Sequence, residues 1–485
     1  MSSFFGIEIA KKSLLVNQRA IELTAHNLAN ATTAGYSRQV LNTRAIVPPA
    51  GNALKNTGAA NIGAGVDIIS ITSVRNGFYD AMYRKENASL SEMSAKSAAL
   101  LYIEDVIGEG AEGGLLQTLS AVYDDIDLLS QNAESTLYRE QLRQDVITLT
   151  NGLNHTAAAL HAYRREQDQN VQSIVGQINE LATRVADLNN AIFKYELSGN
   201  RANDLRDQRN LLIDDLSGLA GTMVQESDDG KLTVTLGGVS LVSHLSVHRI
   251  ELTPGDTDPV TGTMYVKPTW ADSGITVVPA GGSLRGTLDI RDSQSPTDPG
   301  IPYYLSRLDT LAASLVEVFN TVNNAGYTLP YGGNASRTGV NFFSPDHTHA
   351  YDITLSDELL ESSANIAASS EAVSGAENWS NAENLRLLLS LRDSSQLISG
   401  GVTLGNHESF MRTLTTDIAT AAHYTAGRAE TQREMADAMD EQRLSVSGVS
   451  LDEETINLVR YQQSYQAAAK LVTVLDEMLS TLINL

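Results

Sequence analysis

Apolar side chains recur every three or four residues along most of the chain, which is the period of amphipathic helices. This pattern predicts helices over residues 75–106, 115–129, 142–195, 203–219, 302–322, 385–397 and 408–446. Between residues 222 and 292 the period changes to two, which predicts short strands, the last of them over residues 286–290. A further strand is predicted over residues 351–355. The sequence therefore predicts a mainly α fold, a long helical bundle that carries a small β domain facing outwards.

The two ends of the chain show the same period. In the first helix, apolar, small or uncharged residues follow one stripe: Ile7, Ala10, Leu14, Asn17, Ile21, Thr24 and Leu28. The last helix carries a second stripe: Ile456, Val459, Gln463, Ala467, Leu471, Val474, Met478, Leu482 and Leu485. We expect the two stripes to meet, so that the terminal helices pair as a coiled coil. The same pattern is also typical of two helices in an ordinary globular core.

A polar segment follows the first helix, and it contains Asn27, Asn30, Gly35, Tyr36, Arg38 and Gln39. Asparagine tolerates left-handed backbone at a helix exit, and glycine supplies a positive-φ turn. These residues are therefore expected to form a helix C-terminal turn. Tyr36 and Arg38 are residue types enriched at protein interfaces, so they are also candidates for contacts with a neighbouring subunit.

This segment resembles the flagellar rod, hook and hook-associated axial family, whose members carry an N-x-A-N-x-x-T-x-G-Y-x-R-Q signature after the first helix. Ala34 occupies the position where the family usually has proline. Residues 457–463 and 465–470 are similar to the same family's closing helix. The resemblance covers roughly the first 80 and the last 60 residues and is nearly absent from the β-rich segment.

The resemblance implies a structural subunit at the junction between flagellar hook and filament. The implied partners are the hook protein, a second junction protein, further copies of this chain in a ring, and a cytoplasmic export chaperone on the C-terminal helix. It also implies an extracellular location, reached through the flagellar type III export channel. The expected assembly interface comprises Ile7, Leu14, Ile21, Leu28, Asn27, Asn30, Gly35, Tyr36, Arg38, Gln39, Ile456, Val459, Leu471, Val474, Met478 and Leu482. An alternative is a secreted coiled-coil binding or effector protein of a type III system.

We expect three structural units. Residues 1–70 and 430–485 form a terminal helical assembly domain, and residues 71–221 and 293–429 form a rod-like helical bundle with minor β structure. Residues 222–292 form the inserted β domain. Residues 47–66, which include Pro48 and Pro49, are expected to be an extended linker or a short hairpin.

Composition narrows the function classes. The 34 basic and 58 acidic residues give a net charge of 34 − 58 = −24, which argues against binding nucleic acid or an anionic membrane by charge. Without cysteine, disulfides, thiol catalysis and cysteine-based zinc sites are excluded. No transmembrane run and no cleavable secretory signal is visible, so export by another route is expected.

The sequence offers weak candidates for chemistry. His347 and His349 alternate as metal ligands on a strand would, but no third ligand accompanies them. Residues 124–127 and 228–229 are acidic and are better explained as solvated surface residues than as catalytic carboxylates or calcium ligands. Residues 108–114 are glycine-rich but lack the following Lys-Ser/Thr of a phosphate-binding loop. We therefore expect no enzyme activity, no cofactor and no metal.

Overall fold

The structure is a computed structural model that describes residues 2–46, 63, 65–108, 114–227, 230–374, 378–395, 397–399 and 402–483. Its α-helices are α1 (Ser2–Ala29), α2 (Gly77–Ile107), α3 (Leu115–Gln131), α4 (Thr136–Glu196), α5 (Asn203–Ala220), α6 (Gly282–Asp292), α7 (Ile301–Ala325), α8 (Asp357–Glu361), α9 (Glu383–Ser390), α10 (His407–Ser447) and α11 (Leu451–Ile483). Its strands are β1 (Gln39–Ala45), β2 (Val66–Ser73), β3 (Met223–Glu226), β4 (Leu232–Leu236), β5 (Val239–Ser243), β6 (Ser246–Val247), β7 (Ile250–Thr257), β8 (Met264–Trp270), β9 (Leu397–Ser399) and β10 (Val402–Gly405).

The predicted fold class is confirmed. The chain leaves the terminal pair α1–α11 through a β1–β2 hairpin, passes through long helices, makes a group of strands and returns through α6, α7 and α10. The hairpin flanks the predicted linker and includes its last residue, Val66, with Gln39 opposite Ser73 and Ala45 opposite Val66. Most of the predicted linker, residues 47–62 and 64, lies outside the described residues, as do residues 109–113 and 228–229.

The longest helix, α4, joins two hydrophobic cores. With 61 residues at 1.5 Å per residue, it is about 90 Å long. Its first half packs with α3, α7, α9, the start of α10 and the irregular segment after α7, around buried side chains such as Leu153, Phe319 and Phe342. Its second half packs with α5, α6 and strands β4, β5, β7 and β8, around residues such as Ile178 and Trp270. The strands of the β segment therefore share a core with helices.

One predicted strand is a helix. Residues 286–290 lie inside α6, and their helical spacing places Thr287 and Ile290 in the interior. The prediction failed because Gly286, Leu288 and Ile290 also alternate at a period of two. At Gly286 an added Cβ would lie 2.6 Å from the carbonyl oxygen of Glu92, so the absence of a side chain allows α6 to pack closely on α2.

Two smaller predictions were also wrong. Residues 351–355 form no strand, since only Leu355 makes an isolated bridge, with Phe343. The helix predicted over residues 385–397 ends at Ser390 and is followed by turns and by β9. The division into terminal, bundle and β units stays a prediction.

Candidate assembly interface

The terminal helices α1 and α11 pack against each other in antiparallel directions. At one end, a Cβ on Gly6 would lie 3.4 Å from Cδ1 of Leu475. At the other end, Asn27 Nδ2 donates to Glu454 Oε2 at 3.2 Å. The predicted stripe of α1 faces inwards: Ala10 and Thr24 are buried, and Ile7, Leu14, Asn17 and Ile21 are half-buried, whereas Leu28 is exposed. The expected pairing of the two ends is therefore confirmed.

The face of α11 that meets α1 is not the predicted one. We call it the inner face, and it comprises Leu458, Tyr461, Ala468, Val472, Leu475 and Leu479, all buried or half-buried. The residues predicted to pair with α1 instead form an exposed outer face: Ile456, Val459, Leu471, Val474 and Met478. The exposed fraction of these five residues ranges from 46% for Val474 to 68% for Ile456. The side chain of Leu482 and residue Leu485 lie outside the described part of the chain.

Residues of the two faces of α11 lie next to each other in the sequence. Leu471, Val474 and Met478 directly precede the inner residues Val472, Leu475 and Leu479, so these three lie about 100° around the helix from an inner residue. Both stripes therefore have helical spacing, and spacing alone does not distinguish them. Each stripe also contains one alanine, Ala467 in the predicted stripe and Ala468 in the inner one, so a small side chain does not distinguish them either.

Asn27 is the centre of the polar segment that follows α1. It is 2% exposed, and its amide makes four hydrogen bonds. Nδ2 donates to the carbonyl of Gln39 at 2.9 Å and to Glu454, while Oδ1 accepts from the Gln39 amide at 3.0 Å and the Tyr36 hydroxyl at 2.7 Å. Because both donors and both acceptor sites of the amide are used, Asn27 holds α1, β1 and α11 in one arrangement.

Gln39 and its neighbours extend this network to α5. The Gln39 side chain donates to Asp204 Oδ1 at 2.7 Å and accepts from Asn203 Nδ2 at 3.1 Å. The amide of Ser37 donates to Asp207 Oδ2 at 2.9 Å. Gly35 has a φ of +75°, and a Cβ there would lie 3.3 Å from Leu211 Cβ, so this turn lies directly on α5. The segment therefore fixes the terminal helix pair to the helical bundle.

Arg38 links the same segment to the α10–α11 junction. Its amide donates to the carbonyl of Ser447 at 2.8 Å, and its guanidinium pairs with Glu453 at 2.8 Å. Asn30, by contrast, bonds only locally, donating to the carbonyl of His26 at 3.0 Å and accepting from the Thr33 hydroxyl. Of the predicted interface residues, the structure thus gathers Asn27, Tyr36 and Gln39 into one network and leaves Asn30 outside it.

Burial and acidic neighbours shape the electrostatics of this network. Burial, and then the nearby Asp204, Asp207 and Glu454, raise the pKa of Tyr36, so the phenol stays a hydrogen-bond donor. Burial also raises the pKa of Asp207, against the opposing effect of the Ser37 amide. The acids that complete the network carry no signal in the sequence, because Glu454 lies 427 residues after Asn27.

The structure also brings together a serine, a histidine and a third hydrogen-bonding group, an arrangement that resembles the catalytic triad of hydrolases. Ser314 Oγ lies 3.0 Å from His407 Nε2, and the Tyr123 hydroxyl lies 2.8 Å from His407 Nδ1. His407 is only 1% exposed, and burial lowers its pKa to about 4. Both ring nitrogens of His407 thus have a partner, as buried polar groups usually do, while Ser314 itself is half-buried.

The candidate metal ligands His347 and His349 do not form a metal site in the part of the chain that the structure describes. His347 and His349 bond locally: the His347 ring lies 2.9 Å from the Ser344 hydroxyl, and the His349 amide donates to Asp352. Within the described ranges, no three His, Cys, Asp or Glu residues cluster as metal ligands do. None of the described helices is long and apolar enough to cross a membrane.

Comparison with known proteins agrees with the geometry of the two ends. Residues 100–343, half of the chain, match the model of the flagellar hook-associated protein FlgK helical domain. The chain belongs to the flagellar hook-associated protein FlgK family. Residues 440–485, which contain α11, also match the flagellar basal body rod FlgEFG protein C-terminal model. Membership confirms the resemblance found in the sequence and makes the chain a structural component of the flagellum.

Relatives of similar length extend this result. The chain is 29% identical to flagellar hook-associated protein 1 of Bacillus subtilis, over 100% of this chain and 98% of the relative. It is 24% identical to the protein of the same name from Escherichia coli, over 99% of each. The fold matches the flagellar hook junction protein FlgK from Burkholderia pseudomallei with a TM-score of 0.61 and 14% identity, covering 76% of this chain and 100% of that one.

Proposed function

We propose that this chain is a subunit of the junction between flagellar hook and filament, and that it assembles through the outer face of α11. The observation that carries the proposal is the exposure of Ile456, Val459, Leu471, Val474 and Met478 on a helix whose other apolar face is already covered by α1. Their helical spacing creates an apolar stripe, interrupted at Gln463, which is typical of a helix that packs on another protein.

The energetics suit assembly between many copies. Burying the exposed half of one such side chain contributes about 1 kcal/mol, so the outer face contributes several kcal/mol per subunit when it is covered. An interface of this size binds a single pair of subunits weakly. In a closed ring, however, every subunit forms this interface with each of its two neighbours. The relatives' names, flagellar hook-associated protein and flagellar hook junction protein, support a proposed position of this ring at the end of the hook.

The proposed partners follow from this position. They are the hook protein below, a second junction protein above, and further copies of this chain within the ring. Before assembly, the same apolar stripe needs cover in the cytoplasm, and an export chaperone on the C-terminal helix would supply it. We propose that the chain leaves the cell through the flagellar export channel, and that it has no catalytic role.

Paired substitutions on the two faces of α11 test the proposal. Val474→Asp places a carboxylate on the outer face, whereas Leu475→Asp places one on the inner face beside Gly6. Ile275→Asp, at an exposed apolar residue outside the terminal helices, is the control. Each variant is expressed in cells that lack the protein, hooks and filaments are counted by electron microscopy, and flagellin in the medium is assayed.

Cells that lack the protein should show finished hooks without filaments and should lose flagellin to the medium. Val474→Asp should give the same result although the purified variant keeps the wild-type circular dichroism spectrum, while Ile275→Asp should restore filaments. Leu475→Asp should in addition lower the helix content. Normal filaments in cells without the protein would refute the junction role and favour a secreted coiled-coil effector. Normal filaments with Val474→Asp alone would refute the assigned face.

A further inference from the structure

The two hydrophobic cores end on either side of a polar stretch in the middle of α4. The last α4 side chain in the first core is Tyr163, and the first one in the second core is Val171. Residues 164–170, which lie between them, are all polar and make about two helical turns. Contacts other than apolar packing therefore hold the direction of α4 over this stretch.

Two buried ion pairs connect the polar stretch to other elements of the fold. Asp168 Oδ1 accepts a hydrogen bond from Arg291 Nη1 of α6 at 2.6 Å and from the Val266 amide of β8 at 2.9 Å. One turn earlier in α4, Arg164 Nη1 donates to Asp258 Oδ2 at 2.7 Å. Asp168, Asp258 and Arg291 are each at most 7% exposed. Both charges of α4 thus meet an opposite charge from a distant part of the chain.

The tip of the β7–β8 hairpin covers the same stretch of α4. Asp258 Oδ1 accepts from the amides of Val260 and Thr261 at 3.0 and 2.9 Å, so the turn itself orients the carboxylate that binds α4. The central guanidinium carbon of Arg164 lies 4.2 Å from the centroid of the Tyr265 ring, which adds a cation–π contact. The hairpin tip is therefore bound to α4 by a charge, by an aromatic ring and by a fixed turn.

The hairpin bridges the polar stretch from one core to the other. Near the second core, Asn179 of α4 donates to the carbonyl of Ile250 at 2.8 Å and accepts from its amide at 2.9 Å. Near the first core, the ring of His161 packs edge-on against Tyr351 with centroids 5.5 Å apart, and its Nδ1 lies 3.5 Å from Asp258 Oδ2. The two attachment points on α4 are about 27 Å apart along the helix.

Buried charges extend from this point to α2. Lys96 of α2 is buried, and its Nζ lies 2.7 Å from Asp289 Oδ2 of α6 and 2.8 Å from Asp298 Oδ2. Asp289 precedes Arg291 by two residues in α6, so the contacts of α2 and α4 with α6 lie side by side. We call this set the polar layer, and it comprises Lys96, Arg164, Asp168, Asp258, Asp289 and Arg291.

We infer that the polar layer holds the two halves of the bundle in one fixed arrangement, and that α4 bends over residues 164–170 once its ion pairs are removed. Charge-assisted hydrogen bonds have strict geometry, so they fix the orientation of the elements that they join. Removing one partner leaves the other charge buried and unpaired, and the region then opens so that water can reach it. The hairpin would detach from α4, and the two cores would move relative to each other as separate bodies.

Hydrogen exchange of the full chain tests the attachment of the hairpin. Arg291→Met removes the partner of Asp168, while Arg285→Met is the matched control on the same helix, at a side chain that is 42% exposed and pairs with Asp289. In Arg291→Met we expect the protection of β7, β8 and residues 164–170 to fall about a hundredfold or more. Protection of β4, β5 and α7, and of every element in the control, should change by less than about threefold. Equal protection of β7 and β8 in both variants would overturn the inference.

Spin labels on α4 test the bend itself. The chain has no cysteine, so Thr148→Cys and Asp187→Cys, at two exposed residues of α4, give specific labelling sites on either side of the polar stretch. A straight helix separates these positions by about 58 Å. Electron–electron resonance should give one narrow distance distribution for the labelled parent and for Arg285→Met, and a broader one with a shorter mean for Arg291→Met. An unchanged distribution would overturn the inference even if the hairpin lost protection.

A milder substitution covers the case in which Arg291→Met does not fold. Asp258→Asn keeps an oxygen for the amides of Val260 and Thr261 but turns an uncharged amide towards Arg164. Asp272→Asn is its control, because Asp272 is exposed in the same β segment and pairs with His248. Asp258→Asn should lower the protection of the hairpin about tenfold and broaden the distance distribution, whereas the control should match the labelled parent. Identical results for the two amide variants would refute the inference.

Discussion

Replacing Asn27 with alanine tests whether the segment after α1 acts as a structural joint within the subunit. The substitution removes the partner of both the amide and the carbonyl of Gln39, and it frees Glu454 Oε2. The Tyr36 hydroxyl loses its bond to Asn27 but keeps its contact with His26 Nδ1 at 3.0 Å. An unsatisfied buried polar group costs about 1–3 kcal/mol. Tyr36 is half-buried and regains water readily, so the two backbone groups of Gln39 dominate the cost.

We expect Asn27→Ala to destabilise the joint by about 2–4 kcal/mol, because the Gln39 amide and carbonyl are both left without a partner. The unfolding is expected to be local, since the two hydrophobic cores lie on other elements. Hydrogen exchange should therefore show lower protection in β1 and in the Asn27 end of α1, while α4 and α7 keep theirs. Circular dichroism of the purified variant should stay close to that of the wild type.

The control for this experiment is Asn30→Ala. Asn30 lies three residues away in the same signature, but its side chain is partly exposed and bonds only to neighbouring groups of the turn. Its removal should cost no more than about 0.5 kcal/mol. The reasoning would be refuted if both variants lowered the protection of β1 equally, because the signature would then act through its turn and not through the Asn27 network.

Two further substitutions address backbone and core. Gly282→Ala should destabilise the protein by several kcal/mol, because Gly282 has a φ of +82° and a Cβ there would lie 2.4 Å from the Ala220 amide nitrogen. The control Gly274→Ala, at a φ of +68° in open space, should cost about 1 kcal/mol. Equal losses of stability in urea titrations of the two variants would contradict this reasoning. The folded-state pKa of His407 lies below its unfolded value of 6.5, so its stabilisation is complete above pH 6.5 and is lost as the pH falls towards about 4. His407→Gln should therefore reduce the loss of stability between pH 6.5 and pH 4, to which His407 contributes at most about 3 kcal/mol. Thermal melts in which the variant and the wild type lose the same stability over this pH range would contradict the prediction.

Helical spacing predicted most of the fold, but not the position of every element. The stripes of α4, α7 and α10 are long and unambiguous, so their bounds differ from the predicted ones by only a few residues, apart from the start of α4. In α6 the short run of Leu284, Leu288 and Ile290 fits a strand as well as a helix, and the outcome depends on how closely Gly286 approaches α2. Such an approach between distant segments has no local signature in a single sequence.

The polar signature was interpreted correctly as a turn, yet its main role depends on partners that only the fold reveals. Gly35 makes the expected positive-φ turn, with a φ of +75°, whereas Asn27 lies in the last turn of α1 and does not have left-handed backbone. The carboxylates of Glu454 and Asp207, which complete the network, belong to helices far away in the chain. A sequence pattern thus indicated that these residues are constrained, while the three-dimensional structure shows that the constraint operates largely inside the subunit.

Helical spacing in a single sequence also explains why the wrong face of α11 was predicted to pair with α1. A helix that must bind α1 within the chain and other subunits outside it needs two apolar stripes about 100° apart. The periodicity of one stripe then masks the other, and helical spacing alone predicted the stripe that contains Leu471, Val474 and Met478. Ala468 and Tyr461 mark the face used within the chain. An apolar face of α11 was therefore left exposed by folding, which is the arrangement expected if assembly, and not the subunit's own fold, is what covers it.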